Sequence, residues 1–153
     1  MTESLVHSVN WNIDYKVNLG RAWSRFLVSL RDDRVILGTT CGSCDKTYVP
    51  PQAYCEACYE PMDAWVEVPP TGTLEAATIA QHAFQGGPPA PYAIGAIALD
   101  GTDTLFIHLI SGIDLSDQEN ARTLLRRGTR VRAVWSQERT GSIRDIDHFA
   151  PVG

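Results

Sequence analysis

Residues 41–58 read CGSCDKTYVPPQAYCEAC and hold all four cysteines of the chain, as two CxxC pairs, Cys41/Cys44 and Cys55/Cys58, ten residues apart. Two such knuckles joined by a short hairpin set four sulfurs at the corners of a tetrahedron, the geometry zinc accepts from thiolates. A structural disulfide pair belongs to exported proteins, whereas this chain opens MTESLVHSVN with no cationic apolar leader, so a cytoplasmic setting with reduced cysteines is expected. A redox CxxC opens a helix, and Gly42, Pro50 and Pro51 break any helix near these sulfurs. Metal remains. Iron uses the same four ligands, but zinc is commoner in structural ribbons, so zinc on Cys41, Cys44, Cys55 and Cys58 is the expectation.

Four protein thiolates leave a tetrahedral zinc no place for water or substrate. The metal is therefore read as scaffold, and its binding supplies much of the folding free energy of a segment with few apolar residues. At 153 residues the chain suits one ordinary domain, or a metal module beside a small one. With 13 basic against 18 acidic residues the net charge is −5, which opposes nonspecific nucleic-acid binding. No apolar run reaches the ~20 residues of a membrane span.

Upstream of the knuckles, Trp11, Ile13, Tyr15 and Val17 alternate with polar residues, as an extended arm would. From Leu19 to Leu30 the period changes: Ala22, Trp23, Phe26, Leu27 and Leu30 form one helical face, with Arg21, Ser24, Arg25 and Arg31 opposite. That face packs either on the domain or on a partner, and Trp23, Phe26, Leu27 and Leu30 are the docking candidates. Val35 to Thr40 is β-branched and runs into Cys41 as a first ribbon strand; Thr47 to Val49 returns, and Trp65 to Val68 makes a third strand, halted by Pro69 and Pro70.

Beyond Gly72 come five candidate strands: Thr73 to Ala80, Tyr92 to Leu99, Leu105 to Ile110, Thr129 to Trp135 and Ser142 to Phe149. A proline- and glycine-rich loop (Gly86, Gly87, Pro88, Pro89, Pro91), the Asp100–Gly101 turn and the Arg139 to Gly141 turn separate them, and Ser116 to Arg127 suits a short helix. Five strands with a helix between the third and fourth is the order of an OB barrel, and a small open sandwich is the alternative that reads similarly. The chain is thus read as mainly β: an N-terminal arm and amphipathic helix (1–34), a zinc ribbon (35–70) and a five-stranded OB-fold domain (71–153).

The chain resembles a bacterial and archaeal family that joins a rubredoxin-like zinc ribbon to an OB fold and associates with acyl-CoA enzymes. The resemblance rests on Gly20, Ser24, Arg25, Phe26, Leu27 and Leu30 in the helix, on Gly38 with the four cysteines, and on Tyr48 to Pro51 between the knuckles. It continues through Gly72 and Thr73, Pro91 and Tyr92 to Leu99 and Asp100, Gly128 with Val131, and Phe149 with Pro151. Asp45 stands where the family usually has glycine, Gln52 where it has a basic residue, and Glu56 where it often has proline. Members are similar to one another in role, as non-catalytic subunits of thiolases or of thiolase-like retro-aldolases. The resemblance therefore implies a thiolase-fold catalytic partner, with a two-plus-two heterotetramer as the default, and acyl-CoA or CoA at a shared site. Aliphatic, steroid and aromatic β-oxoacyl-CoA substrates, benzoylsuccinyl-CoA among the last, all fit it.

The residues themselves offer little catalysis. No cysteine is left over as a nucleophile, and His82, His108 and His148 fall at or near strand ends, where a lone histidine is more often structural. His82 opens the loop to Pro91, which suits a lid. Five of the 13 basic residues crowd into Arg122, Arg126, Arg127, Arg130 and Arg132. Guanidinium forks match phosphate oxygens, so Arg126, Arg127 and Arg130 are candidates for the phosphates of CoA, against a plain solvated helix end. A stand-alone OB module binding acyl-CoA or single-stranded nucleic acid is the other class, but few strand aromatics are available for base stacking.

Overall fold

The computed structural model describes residues 15–84 and 86–152 together with Val6, Ser8 and Ile13. The expected arm at Trp11 to Val17 lies partly outside the described residues; Ile13, Tyr15 and Val17 are exposed and lie in no helix or strand. Helix α1 (Gly20–Asp32) follows, its chain entering through a turn in which the Gly20 amide donates to Asn18 Oδ1. The face predicted by its periodicity is buried on this chain itself: Phe26 and Leu30 have no exposed surface and Leu27 has 8%. Those three are thus not available to dock a partner, which corrects that expectation. Of the four candidates only Trp23 shows substantial surface, 40%, its ring edge-on to Phe26.

The ribbon is a three-stranded antiparallel sheet in the order β2-β1-β3, with β1 Ile36–Thr40, β2 Thr47–Tyr48 and β3 Ala64–Val68. Gly38 sits where β2 passes closest; a Cβ there would lie 2.9 Å from the Tyr48 carbonyl oxygen, so only glycine fits without movement. Two residues after β3, the barrel begins. Strands β4 (Thr71–Ala80), β5 (Tyr92–Leu99), β6 (Leu105–Ile110), β7 (Arg130–Trp135) and β8 (Ile146–Pro151) close in the order β4-β5-β6-β8-β7, with α2 (Gln118–Leu124) between β6 and β7. This is the OB order, closed by a parallel contact between β6 and β8.

Gly72 repeats the logic of Gly38, since a Cβ there would stand 2.5 Å from the Ala98 carbonyl oxygen across the β4–β5 pair. The last strand differs from its expected bounds. Ser142 caps a short 3₁₀ turn (Ile143–Asp145), so β8 starts only at Ile146.

One core runs through the molecule. Phe26 and Leu30 of the helix, Ile36, Val49 and Val68 of the ribbon, and Leu74, Ile97, Phe106 and Phe149 of the barrel belong to a single buried cluster. Polar bonds fix the joint. Thr47 donates its amide to Asp103 Oδ2 at 2.8 Å and accepts from the Asp103 amide at 2.8 Å, while Val49 exchanges two bonds with the Thr104 hydroxyl. Strand β2 thereby docks on the β5–β6 turn.

Candidate metal centre and flanking surfaces

Each cysteine pair builds the same knuckle. The Cys41 amide donates to the Lys46 carbonyl and the Asp45 amide to the Cys41 carbonyl; the Cys55 amide donates to Glu60 and the Tyr59 amide to Cys55, all four bonds 2.9 Å long. Both turns close through a residue in the left-handed region, Asp45 at φ 57° and Tyr59 at φ 61°. That is the physical reason glycine suits the position after the second cysteine, and Asp45 tolerates it better than a tyrosine does.

The four sulfurs lie within 4.8 Å of one another. Cys41 and Cys58 are 3.4 Å apart, Cys44 and Cys55 3.5 Å, and Cys44 and Cys58 3.9 Å. A tetrahedron with zinc–sulfur bonds of about 2.3 Å has edges of about 3.8 Å, so the cluster is close to the size the ion requires. Cys41 and Cys55 are buried, Cys58 half-buried and Cys44 exposed. The Tyr48 hydroxyl, 3.5 Å from Cys55 Sγ, holds that thiol down to about 6, and is itself pushed up to about 12 by the same contact. Against the lowering pull of the Glu60 amide, the Cys41 and Cys55 thiols push Cys58 up to about 12. The neighbouring thiols thus oppose ionisation of Cys58, and a divalent ion held among the sulfurs would remove that conflict.

The arginine run divides. Arg130 lays both terminal nitrogens on Asp100, at 2.7 and 2.6 Å, and reaches Thr73 as well. That fork, joined by the Thr71 hydroxyl, holds the Asp100 carboxyl down to about 2. Arg130 is therefore engaged by a strand-end carboxylate, and as a CoA-phosphate candidate it would have to share its guanidinium with Asp100. Arg127 pairs with Glu75 at 2.8 Å, the residue that bulges from β4 between Leu74 and Ala76. Arg126 is exposed and makes no ion pair among the described residues.

His108 is the buried histidine. It stacks on Phe106, meets Phe149 edge-on, and bonds the Ile143 carbonyl through Nε2 at 3.2 Å, which assigns the proton to that nitrogen. Burial pushes its pKa below the ordinary value, so it is a neutral core residue, while His82 is exposed in its loop and His148 bonds Asp147 at 2.7 Å. The loop from His82 to Pro91 borders a cleft of about 510 Å³ lined by Pro88, Pro91, Tyr92, Asp114 and His148. A shallower one of about 230 Å³ lies between Phe84, Tyr92, Ile107 and Arg144.

Asp145 escaped the sequence reading. Only 1% exposed, its carboxylate accepts the amides of Thr140, Gly141 and Ser142 and locks the loop before β8. The pattern Ser142-x-x-Asp145, a capping box, was the available signal.

Comparison with known proteins supplies the context. A search of the curated proteins finds no match. Among solved structures, one described as "Ltp2-ChsH2(DUF35) aldolase" is 18% identical and superposes with a TM-score of 0.64, covering 89% of this chain and 98% of that one. A DUF35-family protein of unknown function from Sulfolobus solfataricus is 21% identical, with a TM-score of 0.58 over 75% of this chain and 78% of the other. At these identities the likeness is one of fold. Residues 29–61 match the family model for the rubredoxin-like zinc ribbon domain of ChsH2, and residues 65–136 match that for its C-terminal OB-fold domain. With both models matched in the same order over about two-thirds of the chain, and the four sulfurs clustered for a metal, the chain belongs to the ChsH2 family of zinc-ribbon and OB-fold proteins.

Proposed function

We propose that this chain is the non-catalytic, zinc-holding subunit of a heteromeric thiolase that cleaves a β-oxoacyl-CoA, with a thiolase-fold partner supplying the catalytic cysteine. The observation that carries the reading is the closed four-sulfur site within a chain of the ChsH2 family. Every cysteine is committed to the knuckles, which leaves none for acyl transfer. Zinc, when bound, supplies a cross-link between two loops and no open coordination position. The chain's own residues then do positioning work. Strand β2 carries the ribbon's order to the β5–β6 turn, and α1 presents Trp23 beside the core that Phe26 and Leu30 anchor.

On this reading the OB domain borders the acyl-CoA entrance, the loop from His82 to Pro91 faces the acyl group, and Arg126 is the first contact for a CoA phosphate. The substrate is a CoA ester with an aliphatic, steroid or aromatic acyl chain, benzoylsuccinyl-CoA being an aromatic example, and the assembly is a two-plus-two heterotetramer in the cytoplasm. A second reading keeps the role and changes the chemistry: the solved neighbour named as an aldolase favours retro-aldol cleavage of a CoA ester by the partner.

Affinity purification of the full-length protein from its host, followed by mass determination of the complex, tests the role. A stoichiometric thiolase-fold chain is expected, and assays of the pair with CoA and a β-oxoacyl-CoA, or with a β-hydroxyacyl-CoA, choose between thiolysis and aldol cleavage. A lone metal-loaded monomer would overturn the subunit reading.

A further inference from the structure

Strand β5 reads YAIGAIAL and has no charged residue, although it lies in a closed barrel. Alternate residues point inward: Ala93, Gly95, Ile97 and Leu99 are buried, while Tyr92, Ile94, Ala96 and Ala98 face out. A strand that is apolar on both sides is the pattern of one covered on both sides. The neighbours continue it. Cross-strand pairing sets Ala76, Ala96 and Ile107 in one row of the outer face, and Thr78, Ile94 and Leu109 in the next. Leu105 opposes Ala98 one row further on. Ile107 is 61% exposed and Leu105 52%.

This patch has the anatomy of an interface. Its middle is uncharged and floored by small residues, Ala76 and Ala96, between the ridges of Ile94 and Ile107. Its margin is polar and already paired, with Arg130 on Asp100 and Thr73 at one end and Arg127 on Glu75 beside the bulge. The depressions on the face are only about 220 and 230 Å³, each below the range of small-molecule pockets. Phosphate-bearing ligands find no cation among its rows, only Arg144 at the edge beside Ile107, and a nucleic acid finds one aromatic pair, Phe84 and Tyr92, where it needs a stacking series. An apolar protein surface satisfies every one of these features.

We infer that the outer face of β4, β5 and β6, centred on Ala96 and Ile107, is the surface that docks the thiolase-fold subunit of the proposed function, through an uncharged apolar ridge on that partner. The inference rests on that reading of the chain's role. The eight residues of these rows make up about a quarter to two-fifths of the roughly 20–30 residues a standard interface takes from each side. They are its centre, and the exposed Phe84 extends it beyond the strands.

The test uses the full-length protein and the thiolase-fold chain that co-purifies with it, identified by mass spectrometry and then expressed as the probe. Ile107→Glu and, independently, Leu105→Glu should weaken the affinity about a hundredfold or more, because each leaves a carboxylate buried and unpaired. Val152→Glu, also at an exposed apolar residue but outside these three strands, should leave it within about twofold. Metal content and melting temperature should stay at wild-type values in all three, as these side chains contribute little to the core. With p-benzoylphenylalanine at position 107, light should link the two different chains. Unchanged affinity in both face variants would overturn the docking surface while leaving the subunit role intact. A crosslink between two copies of this chain would overturn the occupant. If no thiolase-fold chain co-purifies, the proposed function itself falls, and the docking inference with it.

Discussion

Replacing Phe26 and replacing Trp23 by alanine should have separable consequences, because the two rings touch yet belong to different surfaces. Their centroids are 5.9 Å apart with perpendicular planes. Phe26 has no exposed surface and joins the cluster that includes Leu30 and Ile36, whereas Trp23 is 40% exposed. Truncating a fully buried phenylalanine costs about 3–5 kcal/mol, from lost transfer energy and the cavity left behind. For a chain of this length about 2–4 °C of melting temperature follows each kcal/mol, so Phe26→Ala should melt roughly 6–20 °C lower. Trp23→Ala loses an edge-to-face contact and part of one side chain's burial, about 1 kcal/mol and less than about 4 °C. Calorimetry on the metal-loaded protein reads the difference, and thiol titration confirms that the four cysteines stay protected in both variants. In the presence of the partner the ranking should invert for Trp23, which should weaken assembly while the isolated subunit stays folded. Equal, small melting shifts for the two variants would refute the packing of α1 on this core. A Trp23→Ala variant that still assembles normally would remove the helix from the docking surface.

Asp45→Gly should stabilise the first knuckle by about 0.5–1 kcal/mol, since φ 57° is strained for aspartate and free for glycine; a slower loss of metal to a chelator is the readout. Asp100→Asn addresses pH. The wild-type carboxyl sits at about 2, below its ordinary 3.8, so its contribution is present above about pH 4 and lost as pH falls towards 2. The side chain is 38% exposed, so screening trims the full shift to about 1 kcal/mol; urea titrations should show that gap between wild type and variant at pH 7 and its narrowing as pH falls through about 2. Removal of the metal should open the ribbon first, leaving much of the barrel's far-ultraviolet signal, and elemental analysis should find one zinc per chain in the native protein and none in Cys55→Ser.

The knuckles and most barrel strands were legible because their signals are local. Tyr92–Leu99 and Leu105–Ile110 coincide with their expected bounds, each flanked by proline or glycine turns. Expectations fell short where a distant partner decides. Amphipathicity of α1 shows that one face is covered, and only the tertiary structure shows that β1 and the 3₁₀ turn are among what covers it. Arg130 looked like part of a basic cluster because its carboxylate lies thirty residues away in sequence, on Asp100. The stretch from Ser142 to Phe149 alternates as a strand does, but three amides close on Asp145 and hold its first residues in a turn. The uninterrupted apolar run of β5 hides its alternation of buried and outward residues, which only the closed barrel reveals.

A short strand, β2, ties the metal centre to the barrel by hydrogen bonds, beside the chain connection from β3 into β4. Cys41 and Cys44 end where β2 begins, and Thr47 and Val49 spend four hydrogen bonds on Asp103 and Thr104, the turn between β5 and β6. The same turn starts at Asp100, whose carboxylate ties β4 to β7 through Thr71 and Arg130. A bound metal would thus stiffen a turn that closes one end of the outer β4–β5–β6 face. A four-thiolate zinc cannot act on a substrate, but by ordering β2 it would order the Asp103–Thr104 turn that β2 bonds, beside the face proposed to dock a partner. Loss of metal should accordingly weaken assembly through this turn before it unfolds the barrel, and the residues that transmit the effect are Thr47, Asp103 and Thr104 rather than the cysteines alone.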